Sequence, residues 1–326
     1  MNFHSKIVLI CDENIIKEIK LSSSEANVLI LPFVANEHNK SRQLKEQIED
    51  LILDFGLKKN DAIIGIGGGI TLDLSGFIAS TLFRGVTYYS IPSTLLAMVD
   101  AAIGGKTGLN TQHGKNMIGS IYLPKRVYLD LSFLDTLPYV EFLNGLSEII
   151  KYGIIGDEEI FDNLKGDLNI PKSIIEKCIS LKIHITSLDL HDENLRKILN
   201  FGHTIGHAIE KASNYIIPHG IAVFYGMIIE CKLSKSFAKH GDFLWFLKKL
   251  YRFPNLDMKL IDFDLFEKAL NRDKKKLTDL IPIVTHSPLI NSDCKEFIEE
   301  FSLQQLTSMT KDLENEFSYE FTNTSK

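Results

Sequence analysis

The sequence predicts an α/β domain with a parallel sheet, followed by a helical domain. Over roughly the first 130 residues, short apolar runs alternate with helical patterns, which is the rhythm of βαβ units. After Leu131 the strand signals nearly vanish and long helical patterns fill most of the chain. A chain of 326 residues has room for two domains. We place them at residues 1–132 and 133–326, because a proline-marked turn follows the last strand-like run.

Each predicted element follows from the spacing of its apolar residues. Strands of the first domain are predicted at residues 6–10, 27–31, 62–66, 87–91 and 127–130. Its helices are predicted at residues 44–55 and 71–82, and those of the second domain at residues 140–155, 173–190, 200–214 and 220–238. The sequence contains no internal repeat and no low-complexity linker.

The composition is that of a globular protein and excludes several partners. Apolar residues make up 44% and charged residues 24%. The net charge of −6 argues against binding to nucleic acid or an anionic membrane surface. No run of about 18 uncharged apolar residues is present, so we expect a cytoplasmic protein without a membrane span. The four scattered cysteines lack C-x-x-C spacing and are predicted to be core residues.

Two glycine-rich segments in the first domain are candidates for binding an anion. The run Gly65–Gly69 follows a strand and precedes a helix, so its backbone N–H groups can approach a phosphate; a tight turn without a ligand is the alternative. From Ala101 to Leu129 there is no Asp or Glu, whereas two lysines of this segment, Lys106 and Lys115, stand among glycines. These lysines can hold a phosphate or a carboxylate, or form part of a solvated loop.

The second domain contains a pair of histidines at helical spacing. In NFGHTIGHAIEK, His203 and His207 lie one turn apart on one face of a helix. The spacing fits a metal site, a proton-transfer pair, or two half-buried histidines without a function. Glu148 lies one turn before Lys151 and is either half of a surface ion pair or a metal ligand. On spacing alone, the surface pair is favoured. With His219 after Pro218, one Glu and two His residues form a known type of zinc ligand set.

Taken in order, the motifs resemble those of the 3-dehydroquinate synthase family of sugar phosphate cyclases. The resemblance runs from about Asp61 to Met227 and is carried by GGGITLDLSGF, RGVTYYSIPSTLLAMVDAAIGGKTGLN, GKNMIG, GLSEIIKYG and LRKILNFGHTIGHAIE. It implies a Rossmann-like NAD-binding domain, an all-helical metal-binding domain and an active site between them. It also implies a lyase of the shikimate pathway, which leads to the aromatic amino acids.

The resemblance assigns residues to the site position by position. Glu148, His203 and His219 match the metal ligands, normally of Zn(II) and sometimes of Co(II). The residues that match the substrate site are Lys106, Lys115, Asn116, Lys151, Lys182, Arg196, Asn200, His207 and Lys274. Arg84 matches an arginine that reaches the site of a neighbouring subunit, which implies a homodimer. The predicted NAD contacts are Asp12, Asn14, Glu37, Lys40, Gly67, Gly68, Gly69, Asp73, Ser93, Thr94, Asp100, Lys106 and Lys115. Two of these pairs have an equally good alternative interpretation as a turn or a surface pair. They are Asp12 with Asn14 and Glu37 with Lys40.

The sequence departs from the family pattern at two places. The stretch before Arg196 is usually D-E-x-E-x-G-L-R, whereas here Asp192 replaces a glutamate and Asn194 replaces the glycine. Ile221 replaces a glutamate that commonly follows His219-Gly220, which would remove an acid beside the metal ligands. We expect these changes to affect the turnover rate more than the type of reaction.

The implied reaction converts 3-deoxy-D-arabino-heptulosonate 7-phosphate to 3-dehydroquinate and phosphate, with NAD regenerated. The substrate carries a carboxylate and a phosphate, which explain the predicted lysines and Arg196. The alternatives are another sugar phosphate cyclase, a metal-dependent polyol dehydrogenase of the glycerol dehydrogenase type, and an inactive assembly scaffold. Arg196, Lys182 and Asn200 favour the carboxylate substrate over those of other cyclases.

Overall fold

The computed structural model describes residues 5–18, 26–164, 166, 168–271, 280–285 and 297–323. It divides into two units, Met1–Phe142 and Leu143–Lys326. The elements of the first unit are β1 (Ile7–Asp12), α1 (Glu13–Glu18), β2 (Val28–Phe33), α2 (Arg42–Asp54), β3 (Ala62–Gly67), α3 (Gly69–Thr81), β4 (Thr87–Pro92), β5 (Lys106–Thr111), β6 (Gly114–Ile121) and β7 (Arg126–Val127). Helix α4 (Tyr139–Ile155) runs from the first unit into the second.

A parallel five-stranded sheet is the centre of the first unit. Its strand order is β2-β1-β3-β4-β7. Val8, Ile10 and Ile63 are fully buried, because helices cover the sheet and apolar strand residues can then face either side. The order reverses between β1 and β3, and the register sets Cys11 beside Ile66, so Asp12 and Gly67 follow at neighbouring strand ends. Ligands of open α/β sheets bind at such a switch point.

The glycine-rich segment after β4 forms a turn and a hairpin. Residues Ala97–Ala101 form one wide helical turn, and β5 and β6 then pair antiparallel. Gly108 and Gly119 face each other at close range: a Cβ atom at Gly119 would lie 2.1 Å from the carbonyl oxygen of Thr107. Leu109 is buried in the core of the unit, which anchors the hairpin. The sequence did not predict this hairpin.

Where the structure describes it, the second unit is helical apart from one antiparallel pair of strands. It contains α5 (Lys172–Leu188), α6 (His203–Ala212), α7 (His219–Leu233), α8 (Gly241–Leu250), α9 (Phe263–Leu270), β8 (Leu280–Val284), β9 (Ile298–Ser302) and α10 (Leu303–Asn323). The antiparallel pair β8–β9 is an addition to the predicted all-helical domain. The fold class, a Rossmann-like domain followed by a helical domain, is confirmed.

Helices α6 and α7 pack closely through glycines. A Cβ atom at Gly226 would lie 2.0 Å from the carbonyl oxygen of Gly202, and one at Gly206 would lie 2.9 Å from Cα of Val223. Glycine therefore permits the approach that brings the start of α6 next to α7. Helix α6 begins at His203 and not at residue 200, because Gly202 adopts a left-handed φ of 77° and interrupts the helical path.

The other predicted boundaries differ by a few residues. Helix α7 ends at Leu233, five residues before the predicted end at 238, because Ser234 has an extended backbone with ψ of 130°. Cys11, Cys178 and Cys231 are buried as predicted, while Cys294 lies outside the described residues. Across the described ranges, no helix combines the length and the apolar character that a bilayer crossing requires.

Candidate active site

Glu148 lies at the centre of a polar cluster in the second unit. It is carried by α4 among apolar neighbours such as Ile149 and Ile150, and its side chain is fully buried. Lys151, one turn further along α4, forms an ion pair with Glu148 Oε2 and is equally buried. The interpretation as a surface pair is therefore wrong, since spacing along a helix does not reveal which face is covered. Burial raises the pKa of Glu148, but Lys151 and the nearby imidazole of His203 outweigh it and hold the pKa well below its usual range.

Two histidines from different helices direct a ring nitrogen at the same oxygen of Glu148. His203 Nε2 lies 3.2 Å from Glu148 Oε1, and His219 Nε2 lies 3.7 Å from it. The other nitrogen of each ring has its own partner. Nδ1 of His203 lies 3.0 Å from the carbonyl oxygen of Phe201, and Nδ1 of His219 lies 2.9 Å from Glu210 Oε2. With a hydrogen on Nδ1, each ring in its neutral form directs the lone pair of Nε2 toward Glu148.

His207 belongs to the same group of rings but has a different environment. Ligand atoms of His203, His207 and His219 all lie within 4.8 Å of one another. The side chain of His207 is 52% exposed, and its Nε2 atom lies 3.9 Å from Glu210 Oε2, which exceeds hydrogen-bond distance. The geometry therefore brings the three predicted histidines together; His203 and His219 contact Glu148, and the contact given for His207 is with Glu210.

This donor set fits a divalent metal ion of the zinc type. One carboxylate oxygen and two imidazole nitrogens converge, and each imidazole is fixed by a second hydrogen bond, as zinc-ligating histidines usually are. Without a cation, burial lowers the pKa of His219, but the carboxylates of Glu210 and Glu148 outweigh this and raise the pKa to about 10. A positive charge is thus favoured at this point of the unit.

Two cationic residues of the predicted substrate site lie on other elements of the second unit. Lys182 on α5 and Arg196 on the turn Leu195–Asn200 are buried, while Asn200 at the end of that turn is exposed. Nη1 of Arg196 donates to the carbonyl oxygen of Leu190 at 2.8 Å. Asp189 accepts hydrogen bonds from the backbone N–H groups of Glu193, Asn194 and Arg196 at 3.0, 2.8 and 3.0 Å. Asp189 therefore fixes the turn that carries Arg196.

The backbone angles of Asp192 and Asn194, the two residues that depart from the family pattern before Arg196, can be compared with what each residue type allows. Asp192 adopts a left-handed φ of 63°, which an aspartate tolerates better than most residues do. Asn194, at the position of the family's glycine, has φ of −136° and so is not in the left-handed region. The altered segment thus forms an ordered turn.

In the first unit, predicted substrate and NAD residues form one network on the hairpin side of the sheet. Lys115 Nζ lies 2.7 Å from Glu37 Oε1, and Glu37 Oε2 accepts from Asn110 Nδ2 at 2.6 Å. Lys40 forms an ion pair with Asp73 and donates to Asn116 Oδ1 at 2.5 Å. Lys115 of the acid-free segment is therefore paired with an acid from elsewhere in the chain, which the local sequence did not reveal. Burial raises the pKa of Glu37, but Lys115 and Asn110 outweigh it and lower the pKa.

Four of the predicted nucleotide residues, Gly67, Gly68, Ser93 and Thr94, lie together where β3 and β4 end. Ser93 N–H donates to the carbonyl oxygen of Gly67 at 3.0 Å, and a Cβ atom at Gly68 would lie 3.1 Å from Thr94 Cγ2. A Cβ atom at Gly69 would lie 3.3 Å from Cβ of Ala101, next to Asp100. Helix α3 starts at Gly69, so its first N–H groups point to the same edge.

The remaining predicted residues have simpler settings. Asn14 donates its backbone N–H to Asp12 Oδ1 at 3.0 Å, so these two residues form a local turn at the end of β1. Lys106 is exposed at the start of β5. Arg84 stands in the left-handed region with φ of 58°. Lys274 lies outside the described residues.

Sequence reasoning missed three residues that support the site. Glu210 contacts His219, Asp189 holds the turn of Arg196, and Asn144 Oδ1 accepts from the N–H of Gly220 at 2.8 Å, at the start of α7. Glu210 had a signal, because it lies one turn after His207 on the same helix. No spacing connects Asn144 with Gly220, which are 76 residues apart.

The fold places the chain in a known class. A solved structure of 2-deoxy-scyllo-inosose synthase, complexed with carbaglucose-6-phosphate, NAD⁺ and Co²⁺, matches with a TM-score of 0.81 at 24% identity, over 94% of this chain and 90% of that one. The chain thus shares the fold of this synthase.

Sequence comparisons are more specific. Residues 30–144 match the model of the 3-dehydroquinate synthase N-terminal domain, and residues 145–276 match that of the C-terminal domain. The 3-dehydroquinate synthase of Clostridium tetani is 39% identical over 287 residues, which cover 83% of this chain and 77% of that protein. That of Pyrococcus furiosus is 41% identical over 280 residues, covering 83% and 81%. The chain belongs to the 3-dehydroquinate synthase family.

Proposed function

We propose that this chain catalyses the reaction of its family, the conversion of 3-deoxy-D-arabino-heptulosonate 7-phosphate to 3-dehydroquinate and phosphate. It is then a phosphate-eliminating lyase of the shikimate pathway, and we place it in the cytoplasm. The observation that carries the proposal is the convergence of His203 Nε2 and His219 Nε2 on one buried oxygen of Glu148.

Glu148, His203 and His219 would hold the metal ion, as Zn(II) or Co(II). The support is the donor set, one carboxylate with two imidazoles whose Nδ1 atoms are already engaged. When bound, the ion polarises the hydroxyl oxygen at carbon 5 of the substrate. Lys151 stays beside Glu148 and offsets the charge of the carboxylate.

The first unit would hold NAD at the edge where β1 and β3 end. Support comes from the switch point of the sheet and from the glycines that open α3. The contacting residues would be Asp12, Asn14, Glu37, Lys40, Gly67, Gly68, Gly69, Asp73, Ser93, Thr94, Asp100, Lys106 and Lys115. The cofactor, when bound, accepts a hydride from carbon 5 and later returns it.

The substrate anions would be bound by the buried and clustered cations. Arg196 offers a planar fork for an oxyanion, and Lys182 adds a buried positive charge on the neighbouring helix. Lys106, Lys115 and Asn116 would contribute from the hairpin of the first unit, together with Asn200 and Lys274 elsewhere. These cations favour a substrate with two anionic groups.

His207 would hold or move a proton beside the leaving phosphate. Its ring is half exposed, so it is accessible to a substrate. A phosphate-eliminating site needs such a donor, one whose nitrogen is not consumed by a metal.

We also propose a homodimer in which Arg84 reaches the site of the neighbouring subunit. Phe83 and Arg84 are consecutive non-glycine residues with φ of 49° and 58°. Such backbone strain is retained mainly at functional positions. Lys59 Nζ secures the strained turn by donating to the carbonyl oxygen of Phe83 at 2.9 Å. Light scattering of the purified protein tests the dimer, and a monomer would contradict it.

The decisive assay follows phosphate release from the heptulosonate phosphate in the presence of NAD and zinc. The proposal predicts release of phosphate without net NADH, because the hydride returns to the product. Stoichiometric NADH from a polyol would indicate a dehydrogenase. Turnover of a sedoheptulose or glucose phosphate, without turnover of the heptulosonate phosphate, would indicate another cyclase. If none of these substrates is turned over, the result would favour an inactive assembly scaffold.

A further inference from the structure

We propose that Glu210 is a positioning residue for the metal centre: it holds His219 in the tautomer and ring orientation that a metal ligand requires. The inference rests on the proposed function, in which His219 is a ligand. The predicted metal ligands are Glu148, His203 and His219. Glu210 is not among them and was given no role in the predicted site.

The two nitrogens of the His219 ring face two different carboxylates. Nδ1 lies 2.9 Å from Glu210 Oε2, and Nε2 lies 3.7 Å from Glu148 Oε1. A carboxylate next to Nδ1 keeps the hydrogen on that nitrogen, so the lone pair of Nε2 is directed toward Glu148. Glu210 is almost fully buried, and therefore the hydrogen bond meets little competition from water.

The distances assign Glu210 to His219 in preference to His207. The same oxygen of Glu210 lies 3.9 Å from His207 Nε2, although both residues are on α6 and are one turn apart. The acid thus bridges from α6 to the first residue of α7 instead of serving its own helix. The close glycine contacts between α6 and α7 make this reach possible.

The backbone at Glu210 is itself fixed. Its carbonyl oxygen accepts hydrogen bonds from the N–H of Tyr215 at 2.7 Å and from Ser213 Oγ at 3.0 Å, in the turn that ends α6. A side chain on such an anchored residue presents its oxygen with little loss of freedom.

This arrangement also answers the question raised by Ile221. The sequence suggested that an acid beside the metal ligands is lost here, because isoleucine stands where glutamate is common. Ile221 is buried in the core of the second unit. The structure supplies a carboxylate for His219 from Glu210, on the neighbouring helix.

The test measures zinc affinity of the purified full chain by competition with a chromophoric chelator. We expect Glu210→Ala to bind zinc about 10- to 100-fold more weakly, the usual effect of removing a residue that orients a ligand. Glu210→Gln should lose less, because its amide oxygen still accepts the hydrogen bond from Nδ1. Glu158→Ala is the control, since Glu158 Oε1 lies 3.6 Å from His240 Nε2 in the same unit, away from the cluster, and should leave the affinity unchanged.

A second readout separates orientation from stability. The absorption spectrum of bound Co(II) should change in Glu210→Ala and return toward that of the wild type in Glu210→Gln. If Glu210→Ala does not fold, Glu210→Asp replaces it, because the shorter side chain withdraws the oxygen while keeping the charge, and it should also bind zinc more weakly. Wild-type zinc affinity in the folded variant overturns the inference.

The variant His219→Ala distinguishes this failure from a failure of the proposed site. Loss of zinc in His219→Ala together with wild-type affinity in Glu210→Ala overturns only the role of Glu210. Retention of zinc in His219→Ala removes His219 from the ligand set and overturns both.

Discussion

The ammonium group of Lys151 forms an ion pair with the carboxylate of Glu148 inside the second unit, where the two side chains are 2% and 0% exposed. A buried pair of this kind is weakly stabilising as a whole, but removing one partner leaves an uncompensated charge away from water. His203 and His219 face the other oxygen of the same carboxylate. The stability of the unit and its capacity for a cation are therefore linked.

We expect Lys151→Met to lower the free energy of unfolding of the metal-free protein by about 3 kcal/mol, since the Oε2 atom of the buried Glu148 loses its cation. Urea denaturation at pH 7 measures the change. Zinc should restore part of the loss, because a ligand that binds only the folded state stabilises it.

The control for this prediction is Lys172→Met. Lys172 forms an ion pair with Glu176, but both side chains are largely exposed, so the expected change is below about 1 kcal/mol. Equal effects of the two substitutions would contradict the importance of burial at Lys151.

Arg196→Lys should weaken binding of the substrate by about 1–3 kcal/mol and leave NAD binding unchanged. The lysine keeps the charge but loses the planar fork and the hydrogen bond from Nη1 to the carbonyl oxygen of Leu190. Calorimetric titration with an unreactive phosphonate analogue of the substrate measures the affinity. Lys197→Gln removes a neighbouring charge as the control, and an unchanged affinity in Arg196→Lys would place this arginine outside the site.

Asp189→Asn should reduce stability in a manner that depends on pH. Burial raises the pKa of Asp189, but backbone N–H groups of Arg196, Asn194 and Glu193 outweigh it and lower the pKa below its usual value. A carboxyl whose pKa is lowered by folding stabilises the protein above its unfolded pKa of about 3.9, and this contribution is lost as the pH falls through the folded pKa.

The variant should thus be about 1–2 kcal/mol less stable than the wild type at pH 7, and the difference should shrink below about pH 4. Chemical denaturation at pH 7 and again below about pH 4 tests this expectation. Asp162→Asn, at an exposed position, is the control. A difference that is the same at both pH values would show that Asp189 acts through packing alone.

The sequence predicted the fold class because each of its signals is local. Apolar spacing marked β1, β3 and β4 within a few residues, and Pro218 marked the start of α7. The hairpin of β5 and β6 was missed because its strands are rich in glycine and polar residues, and their pairing depends on the close approach of Gly108 and Gly119.

The site was predicted less completely, because several of its contacts join distant parts of the chain. The sequence named Glu148 and Lys151 but not their burial, which depends on the helices around α4. Glu37 lies 78 positions before Lys115, so the acid that balances this lysine was invisible in the local charge pattern. Contacts from Asn144 to Gly220 and from Glu210 to His219 required the packing of three helices.

The division of tasks among the three histidines is the central claim. Glu148 faces His203 and His219, whereas His207 is half exposed and its Nε2 atom lies 3.9 Å from Glu210 Oε2. Replacing a ligand should release the metal, while replacing His207 should affect only the proton transfer, which slows phosphate release by a factor of about 100.

Metal analysis of the purified His203→Ala and His207→Ala variants tests this claim most directly, with Glu148→Gln measured beside them. The account predicts that His203→Ala is free of zinc, that Glu148→Gln contains less than the wild type, and that His207→Ala keeps nearly full zinc. Loss of zinc from His207→Ala as complete as that from His203→Ala would show that the two histidines one turn apart on α6 are the ligand pair, and would contradict the account.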